Sequence, residues 1–224
     1  TPAPISGKLP AFERDAILAV MQPRLFLTPD DMPDADAPSI AIDHVAAPWK
    51  ACTSGGSTGT PKVIVDGRSA SFPEGTEFIG IPADAVVLVP GPLYHNAPFS
   101  AAVFALCRGS AVVTMDRFDA NGALALIERE HVAWSIMVPT MLHRIWTLPS
   151  DMRDAYDLSR WQMVVHTAAP MARWLKHAWI DWRGPDHIWE VYGATEGLVR
   201  CWIGGTEWRE RPGSVGRPIG GATL

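Results

Sequence analysis

Residues 53–62 form the first segment whose residue types indicate a binding or catalytic function. The segment reads TSGGSTGTPK, and it combines hydroxyl side chains, glycines and a single lysine, Lys62. Glycines let backbone N–H groups come close to an anion, hydroxyls donate further hydrogen bonds, and a lysine adds a point charge. We therefore predict a loop that binds a polyphosphate. Its other contributing residues are Thr53, Ser54, Gly55, Gly56, Ser57, Thr58 and Gly59.

Two known loop types share part of this pattern. A Walker A loop needs Gly-Lys-Ser/Thr at the start of a helix, whereas here Pro61 precedes Lys62 and the β-branched run VIV follows. A G-x-S-x-G nucleophile elbow would make Ser57 the nucleophile of a serine hydrolase, but it too needs a helix after the loop. The hydrolase stays open as an alternative, and so does a plain flexible Gly/Ser connector.

Two further segments carry polar groups just after predicted strands. In YGATEG, Tyr192 could stack on a base, Thr195 could contact a phosphate, and Glu196 could hold Mg²⁺. A single carboxylate is enough for that ion, because Mg²⁺ keeps several waters and shares its other ligands with substrate phosphates. In LYHNAPF, His95 could meet a carboxylate or line an acyl pocket. A solvated surface turn and a histidine satisfied in a polar turn are the alternatives.

Composition narrows the class of partners. The 224 residues include 19 Lys+Arg and 24 Asp+Glu, for a net charge of −5, and 47% are hydrophobic. Without a basic run, we expect no binding to nucleic acid or to an anionic membrane surface. The most apolar stretch, residues 100–115, is too short to span a membrane, and the N-terminus lacks the features of a secretory signal. We therefore expect a cytoplasmic protein whose cysteines are small buried hydrophobes, namely Cys52, Cys107 and Cys201.

The hydrophobic pattern predicts the elements that position these residues. Residues 1–48 are rich in proline and carry one predicted helix at 11–21, and short strands at 49–53 and 62–67 flank the glycine-rich loop. Beyond residue 85, β-branched runs alternate with amphipathic stretches. The predicted strands are 85–90, 110–115, 133–139, 162–166 and 187–192, and the predicted helices are 98–107, 120–130, 140–147 and 171–182.

Repeated βα units predict an α/β fold, with a largely parallel sheet covered by helices on both faces. Ligands bind such sheets beyond the carboxyl ends of the strands. That rule selects residues 91–99, 139–143, 166–170 and 192–197, so we expect the site along one edge of the sheet. The last predicted helix carries tryptophans that we assign to the core or an interface, namely Trp174, Trp179 and Trp182.

Taken together and in this order, TSGGSTGTPK, PLYHNAPF, HTAAP, VYGATEG and GSVGRP resemble the adenylate-forming (AMP-binding) family. This family includes acyl-CoA synthetases, peptide-synthetase adenylation domains and luciferases. The resemblance spans residues 50–218. Within the family, the stretch IGGTEWRERPGSVGRP and the double glycine of SGGSTG look most like the bile-acid or steroid CoA ligase branch. The fold this implies is part of the family's large N-terminal domain.

The resemblance implies an acid-thiol ligase with a two-step reaction. A small-molecule carboxylic acid and ATP form an acyl-AMP and pyrophosphate, and coenzyme A then displaces AMP. By matching positions, residues 54–62 would hold the β- and γ-phosphates, Thr195 would contact the α-phosphate and Glu196 would bind Mg²⁺, while His95 would lie near the entrance for the acid. The residues that would surround the adenine are Tyr192, Gly193, Ala168, Ala169 and Pro170.

This sequence departs from the family pattern in several places. Gly55 stands where the usual loop has serine, and Val63 where it has glycine. Thr167, Ala168, Ala169 and Pro170 stand where many members have Gly-Gly-Ala/Ser-Pro. The family's ribose-binding aspartate and its C-terminal lid with the catalytic lysine would follow Leu224, and the first part of the large domain would precede Thr1.

The domain organisation that we expect follows from these differences. Residues 1–48 would form an irregular segment with a short helix, and residues 49–224 would form an AMP-binding core fragment without its lid, inactive by itself. A non-catalytic nucleotide-binding module is the remaining alternative, and homo-oligomerisation stays open.

Overall fold

A computed structural model describes residues 1–31, 45, 47–54, 62–73, 75–197 and 199–219. Within it the chain divides into two compact units, residues 1–73 and residues 74–224. We call them the N-terminal unit and the sheet unit.

The N-terminal unit contains one α-helix and one pair of strands. Helix α1 (Ala11–Met21) has the predicted bounds, and it ends where Gln22 turns into the left-handed region at φ 43°. A 3-10 turn follows at Pro29–Asp31. Strands β1 (Ala51–Ser54) and β2 (Lys62–Val65) pair antiparallel. The predicted strands on each side of the glycine-rich loop are therefore confirmed.

The sheet unit alternates strands and helices from β3 onward. Its strands are β3 (Val86–Val89), β4 (Ala111–Thr114), β5 (Trp134–Met137), β6 (Met163–His166), β7 (Ile188–Gly193), β8 (Arg200–Gly204) and β9 (Arg217–Ile219). Its helices are α2 (Asn96–Cys107), α3 (Ala120–Arg129), α4 (Pro139–Trp146), α5 (Ser150–Arg153), α6 (Arg173–Arg183) and α7 (Gly205–Glu210), with a 3-10 turn at Pro185–His187.

The seven strands form one sheet in the order β4-β3-β5-β6-β7-β8-β9. The pairs from β4 to β7 are parallel, whereas β8 and β9 add to the edge antiparallel. The predicted α/β fold with a largely parallel sheet is thus confirmed. Because β3, β5, β6 and β7 all run the same way, their carboxyl ends meet at one edge of the sheet.

Side-chain alternation along the strands fills a core on each face of the sheet. Leu88 belongs to the main hydrophobic cluster with α3, α4 and α6, and its buried neighbours Val87 and Val89 must face the other side. Helix α2 packs on β3, β4 and β5 there. The indole nitrogen of the buried Trp161 is satisfied within this core, since Nε1 donates a hydrogen bond to Ser135 Oγ at 3.0 Å.

Local sequence features explain where the helices begin. Asp119 caps α3, because its Oδ1 accepts a hydrogen bond from the backbone N–H of Gly122 at 2.6 Å. Helix α4 starts with Pro139, a residue well suited to the first helical position. Helix α6 begins at Arg173, later than the predicted residue 171, and its Trp179 is fully buried.

The structure corrects the expectation that all three cysteines are buried. Cys107 is exposed at the end of α2, whereas Cys52 and Cys201 are buried as expected. Trp174 on α6 is 54% exposed and does not belong to the core, so its assignment to an interface stays a prediction. The elements α5, β8, α7 and β9 were not predicted from the hydrophobic pattern. Among the described helices, none is long and apolar enough to cross a membrane.

Candidate functional site

A cavity of about 580 Å³ lies at the edge of the sheet where the parallel strands end. We call it the edge cavity. Segments that follow β3, β5, β6 and β7 line it, as the topology predicts. Its lining residues are Phe78, Ile79, Gly91, Pro92, His95, Asn96, Ala97, Pro98, Ser100, Ile136, Met137, Val138, Met141, Thr167, Ala168, Val191, Gly193, Ala194, Thr195, Glu196 and Arg200.

Several residues predicted from separate motifs meet in this cavity. His95 follows β3, Ala168 follows β6, and Gly193, Thr195 and Glu196 lie at and beyond the end of β7. These residues are up to 101 positions apart in the sequence, as the numbers of His95 and Glu196 show. The tertiary fold therefore brings the imidazole, the hydroxyl and the carboxylate into one site.

Other predicted residues lie near this edge without lining the cavity. Ala169 and Pro170 are exposed just after Ala168. Tyr192 is 55% exposed, and its position in β7 puts its side chain on the face opposite Val191 and Gly193. The predicted contacts of Tyr192, Ala169 and Pro170 with an adenine stay predictions.

Thr167 ties two strands together at the cavity. Its Oγ1 donates a hydrogen bond to the carbonyl oxygen of Val191 at 2.7 Å, and its backbone N–H donates to the carbonyl of Met137 at 3.2 Å. The hydroxyl that replaces the family's usual glycine is therefore used inside the fold. It holds the end of β6 against both of its neighbours.

Ala168 has an unusual backbone conformation. Its φ is 73°, in the left-handed region that costs a residue with a Cβ about 1 kcal/mol or more. Strain of this kind persists only where the surrounding structure imposes it, and it is common at binding sites. The turn after β6 therefore has a strict geometry at the cavity wall.

His95 lies at the rim of the cavity. It is the N-cap residue of α2, its ring is 4.5 Å from that of Tyr94, and its side chain remains exposed. Partial loss of water contact lowers its pKa below the ordinary histidine value. A neutral imidazole at this position can accept a proton or a hydrogen bond at neutral pH.

A buried polar cluster lies below the same edge, on the other face of the sheet. Lys176 of α6 and His166 of β6 both approach Glu190 of β7, with Lys176 Nζ 2.5 Å and His166 Nε2 3.5 Å from Glu190 Oε2. Burial, and then the charge of Lys176, hold the pKa of His166 well below its ordinary value. Burial lowers the pKa of Lys176 as well, although Glu190 opposes that shift. No sequence motif indicated this cluster.

The described ends of the glycine-rich loop lie in the N-terminal unit. Ser54 and Lys62 pair across β1 and β2, and the Lys62 side chain is exposed. The predicted residues Gly55, Gly56, Ser57, Thr58 and Gly59 lie outside the described residues. Strand β2 follows the loop where a nucleophile elbow requires a helix, so the local structure does not support a serine hydrolase with Ser57 as nucleophile.

Several aromatic, aliphatic and charged residues that line the cavity were not predicted from the sequence. Phe78 and Ile79 come from a loop before β3, and Arg200 comes from the unpredicted strand β8. Ile136 of β5 also lines the cavity. Its side chain lies on the opposite face of the sheet from that of its neighbour Ser135. The sequence offered one signal for Arg200, because a charged residue directly precedes the apolar residues 201–203, which form most of strand β8.

The only carboxylate among the described lining residues belongs to Glu196, and it is exposed. An exposed single carboxylate fits Mg²⁺, which keeps several waters and shares ligands with phosphates. Within the described ranges, no group of three or more His, Cys, Asp or Glu could hold a metal ion by itself. The donor set therefore fits a magnesium ion that arrives with a substrate.

Comparison with known proteins gives consistent matches. A family model described as AMP-binding enzyme matches residues 47–224. In Oryza sativa subsp. japonica, 4-coumarate-CoA ligase 1 is 32% identical over 162 residues, which are 69% of this chain and 28% of that ligase. This chain therefore spans less than a third of the length of that relative. The matches do not support the hydrolase or the non-catalytic module, and the bile-acid branch stays a prediction.

Solved structures share the fold. The N-terminal domain of FACL13 from Mycobacterium tuberculosis superposes with a TM-score of 0.64 at 22% identity, over 83% of this chain and 47% of that chain. The o-succinylbenzoate CoA synthetase of Bacillus subtilis, solved in complex with ATP and magnesium ion, gives a TM-score of 0.59 at 21% identity, over 75% of this chain and 35% of that chain.

Proposed function

Since this chain belongs to the AMP-binding enzyme family, we propose that it provides the nucleotide-binding and acid-binding part of an ATP-dependent acid-CoA ligase. Residues 49–224 would form the AMP-binding core in this proposal. The substrates would be a carboxylic acid, ATP and coenzyme A. The relatives named above support the ligase class, and they do not identify the acid.

The proposed reaction has two displacement steps. A carboxylate oxygen attacks the α-phosphorus of ATP, the bond from that phosphorus to the β-bridging oxygen breaks, and pyrophosphate leaves. The thiol of coenzyme A then loses its proton and attacks the acyl carbon, and AMP leaves with the electron pair of the broken C–O bond. Positioning and charge neutralisation contribute more to such phosphoryl chemistry than a protein nucleophile does.

The described residues have distinct roles in this proposal. Thr195 donates a hydrogen bond from its hydroxyl to the α-phosphate. Glu196 would bind Mg²⁺, which would neutralise phosphate charge during the first step. Ala168 and Gly193 form the wall beside the nucleotide, and His95 faces the entering acid from the rim. Lys62 would neutralise the outer phosphates.

One observation carries the proposal. The ends of β3, β6 and β7 bring His95, Ala168 and Thr195 with Glu196 to a single cavity of about 580 Å³. A cavity of that size accommodates a ligand as large as a nucleotide with part of an acid. The presence of these polar groups in one cavity supports a shared ligand site.

Nucleotide titration of the full chain tests the proposal. We expect AMP and Mg-ATP to bind at millimolar concentration or below, measured by calorimetry or by NMR shifts. Glu196→Gln should weaken Mg-ATP binding about tenfold, because a charged ligand of the ion is lost, and should leave AMP binding within about twofold. The exposed Glu210 of α7 offers a matched control, and Glu210→Gln should change neither affinity.

The opposite result is equally clear. If the folded chain, checked by circular dichroism, binds neither nucleotide at millimolar concentration, the proposed nucleotide site is wrong. Equal losses in Glu196→Gln and Glu210→Gln would remove the assigned role of Glu196.

A further inference from the structure

Arg200 lines the edge cavity from the antiparallel strand β8. It pairs in register with Gly193 of β7, so the two residues lie side by side on the same face of the sheet. That face also carries Val191, which lines the cavity two residues earlier. The register therefore sets the direction of the Arg200 side chain toward the cavity.

The neighbours of Arg200 shape a place for its side chain. A Cβ at Gly193 would lie 3.3 Å from Cγ of Arg200 and 3.1 Å from the carbonyl oxygen of Val199. Glycine at position 193 thus leaves space for the arginine stem. Further out, the guanidinium carbon lies 5.6 Å from the centre of the Phe78 ring, which in turn stacks on Phe104 at 4.3 Å. The Phe78 ring therefore lies beside the guanidinium, and Phe104 holds that ring in place.

The charge of Arg200 stands out against the lining around it. Among the described lining residues it is the one with a permanent positive charge, and the wall from α4 and its preceding strand is apolar, with Ile136, Val138 and Met141. A guanidinium has five N–H donors, so it can bind a ligand in addition to its contacts within the protein, and its planar fork matches the two oxygens of a carboxylate.

The reacting carboxylate is a poor partner for this arginine. It loses its negative charge when the acyl-adenylate forms, so a strong ion pair to it would stabilise the ground state more than the transition state. A second anionic group on the acid keeps its charge through both steps. Binding energy at such a group positions the substrate without opposing the reaction.

We propose that Arg200 is a specificity-determining residue that binds a second carboxylate on the acid, and that this protein acts on dicarboxylic acids with an apolar body. This inference rests on the proposed function, since it names the substrate class of the same site. The first carboxylate reacts near Thr195 and Glu196, and the second one pairs with Arg200.

Pairs of ligands that differ by one carboxylate distinguish a site for diacids from a site that binds any carboxylic acid. The full chain is titrated by NMR with terephthalate, isophthalate and adipate, each compared with its monomethyl ester. We expect at least one diacid to bind about tenfold more tightly than its ester, and Arg200→Met to remove that preference while the ester affinity stays within about twofold. Arg200→Lys should retain part of the preference, because the charge remains and the fork is lost. Arg144→Met, at an exposed position on α4, is the control.

Each other outcome overturns the inference. If no diacid is preferred over its ester, including the case in which none binds, Arg200 does not select a second carboxylate. If Arg200→Met weakens diacid and ester equally, Arg200 binds the reacting carboxylate or supports the wall. A thermal unfolding scan shows whether Arg200→Met is still folded. If it is not, the diacid preference of Arg200→Lys tests the inference instead. Binding of AMP in the same samples distinguishes the two proposals, because failure of the nucleotide site abolishes it and failure of the diacid site does not.

Discussion

Lys176 Nζ lies 2.5 Å from Glu190 Oε2, and the lysine side chain is almost completely buried. This contact joins α6 to β7 just before the strand reaches the edge cavity. His166 approaches the same carboxylate oxygen from β6, and the ring of Trp208 lies 5.2 Å from the lysine nitrogen. These contacts therefore connect α6, α7, β6 and β7 below the proposed site.

Removing one partner of this pair should be costly. Lys176→Met leaves Glu190 largely buried without its counter-charge, and we expect a loss of about 3 kcal/mol in the free energy of unfolding. The double variant Lys176→Met with Glu190→Gln should recover part of that loss. Denaturant unfolding measures both. The exposed pair of Arg129 and Glu130 is the control, where Arg129→Met should cost at most about 0.5 kcal/mol. A similar cost at both sites would contradict a special role for the buried pair.

Stability should fall in mild acid because of His166. Its pKa is lowered in the folded protein, so the unfolded chain binds more protons as the pH falls below the ordinary value of 6.5. The stabilisation is therefore complete above that value and is lost toward lower pH. We expect His166→Asn to lose less unfolding free energy than the wild type between neutral pH and pH ~5, by about 1 kcal/mol.

The same experiment has a clear contrary result. His95 and His187 also have lowered pKa values, so the variant should keep some acid sensitivity. An unchanged pH dependence in His166→Asn would show that the buried imidazole does not contribute to it.

Glycine should be favourable at position 168. Ala168 has a φ of 73°, and Ala168→Gly relieves the clash of its Cβ with the backbone, so we expect a gain of about 0.5–1 kcal/mol. The neighbouring Ala169→Gly is a matched control without a positive φ, and it should destabilise the protein by a few tenths of a kcal/mol or more. Thermal and denaturant unfolding measure both variants. A loss of stability in Ala168→Gly would mean that contacts of its methyl group outweigh the backbone strain.

The cap of α3 should be measurable by itself. Asp119→Ala removes the acceptor for the N–H of Gly122, and we expect a loss of about 1 kcal/mol in unfolding free energy. Asp116→Ala, three residues earlier and also exposed, is the control and should change stability by less than about 0.5 kcal/mol. Equal effects would point to general charge rather than to the cap.

The predicted role of Lys62 can be tested with two nucleotides. If Lys62 neutralises the outer phosphates, Lys62→Ala should weaken ATP binding about tenfold and leave AMP binding nearly unchanged. Lys8→Ala, at another exposed lysine of the N-terminal unit, provides the comparison. Calorimetry or NMR titration reads out both affinities. Equal weakening of ATP and AMP would argue against a contact with the outer phosphates.

Local pattern was sufficient for much of the fold. Strands β3 to β7, their parallel arrangement and helices α1 to α4 and α6 follow from hydrophobic periodicity, because each buries a regular set of apolar side chains. The positions after the strands were also predictable. His95, Ala168, Gly193, Thr195 and Glu196 share an edge because parallel strands end on the same side.

Tertiary contacts decided the features that no local pattern contains. Strand β8 was missed because this five-residue strand forms by antiparallel pairing with β7 and β9, and the register with β7 is what puts Arg200 beside Gly193. Lys176 lies on the same face of α6 as Trp179 and Ile180, and its charge can be buried there because Glu190 compensates it. Sequence alone therefore determined which segments form the parallel sheet and which residues lie at its edge. Only the packing of distant segments decided which charges are buried and which line the cavity, since burial of a charge depends on partners that local periodicity does not encode.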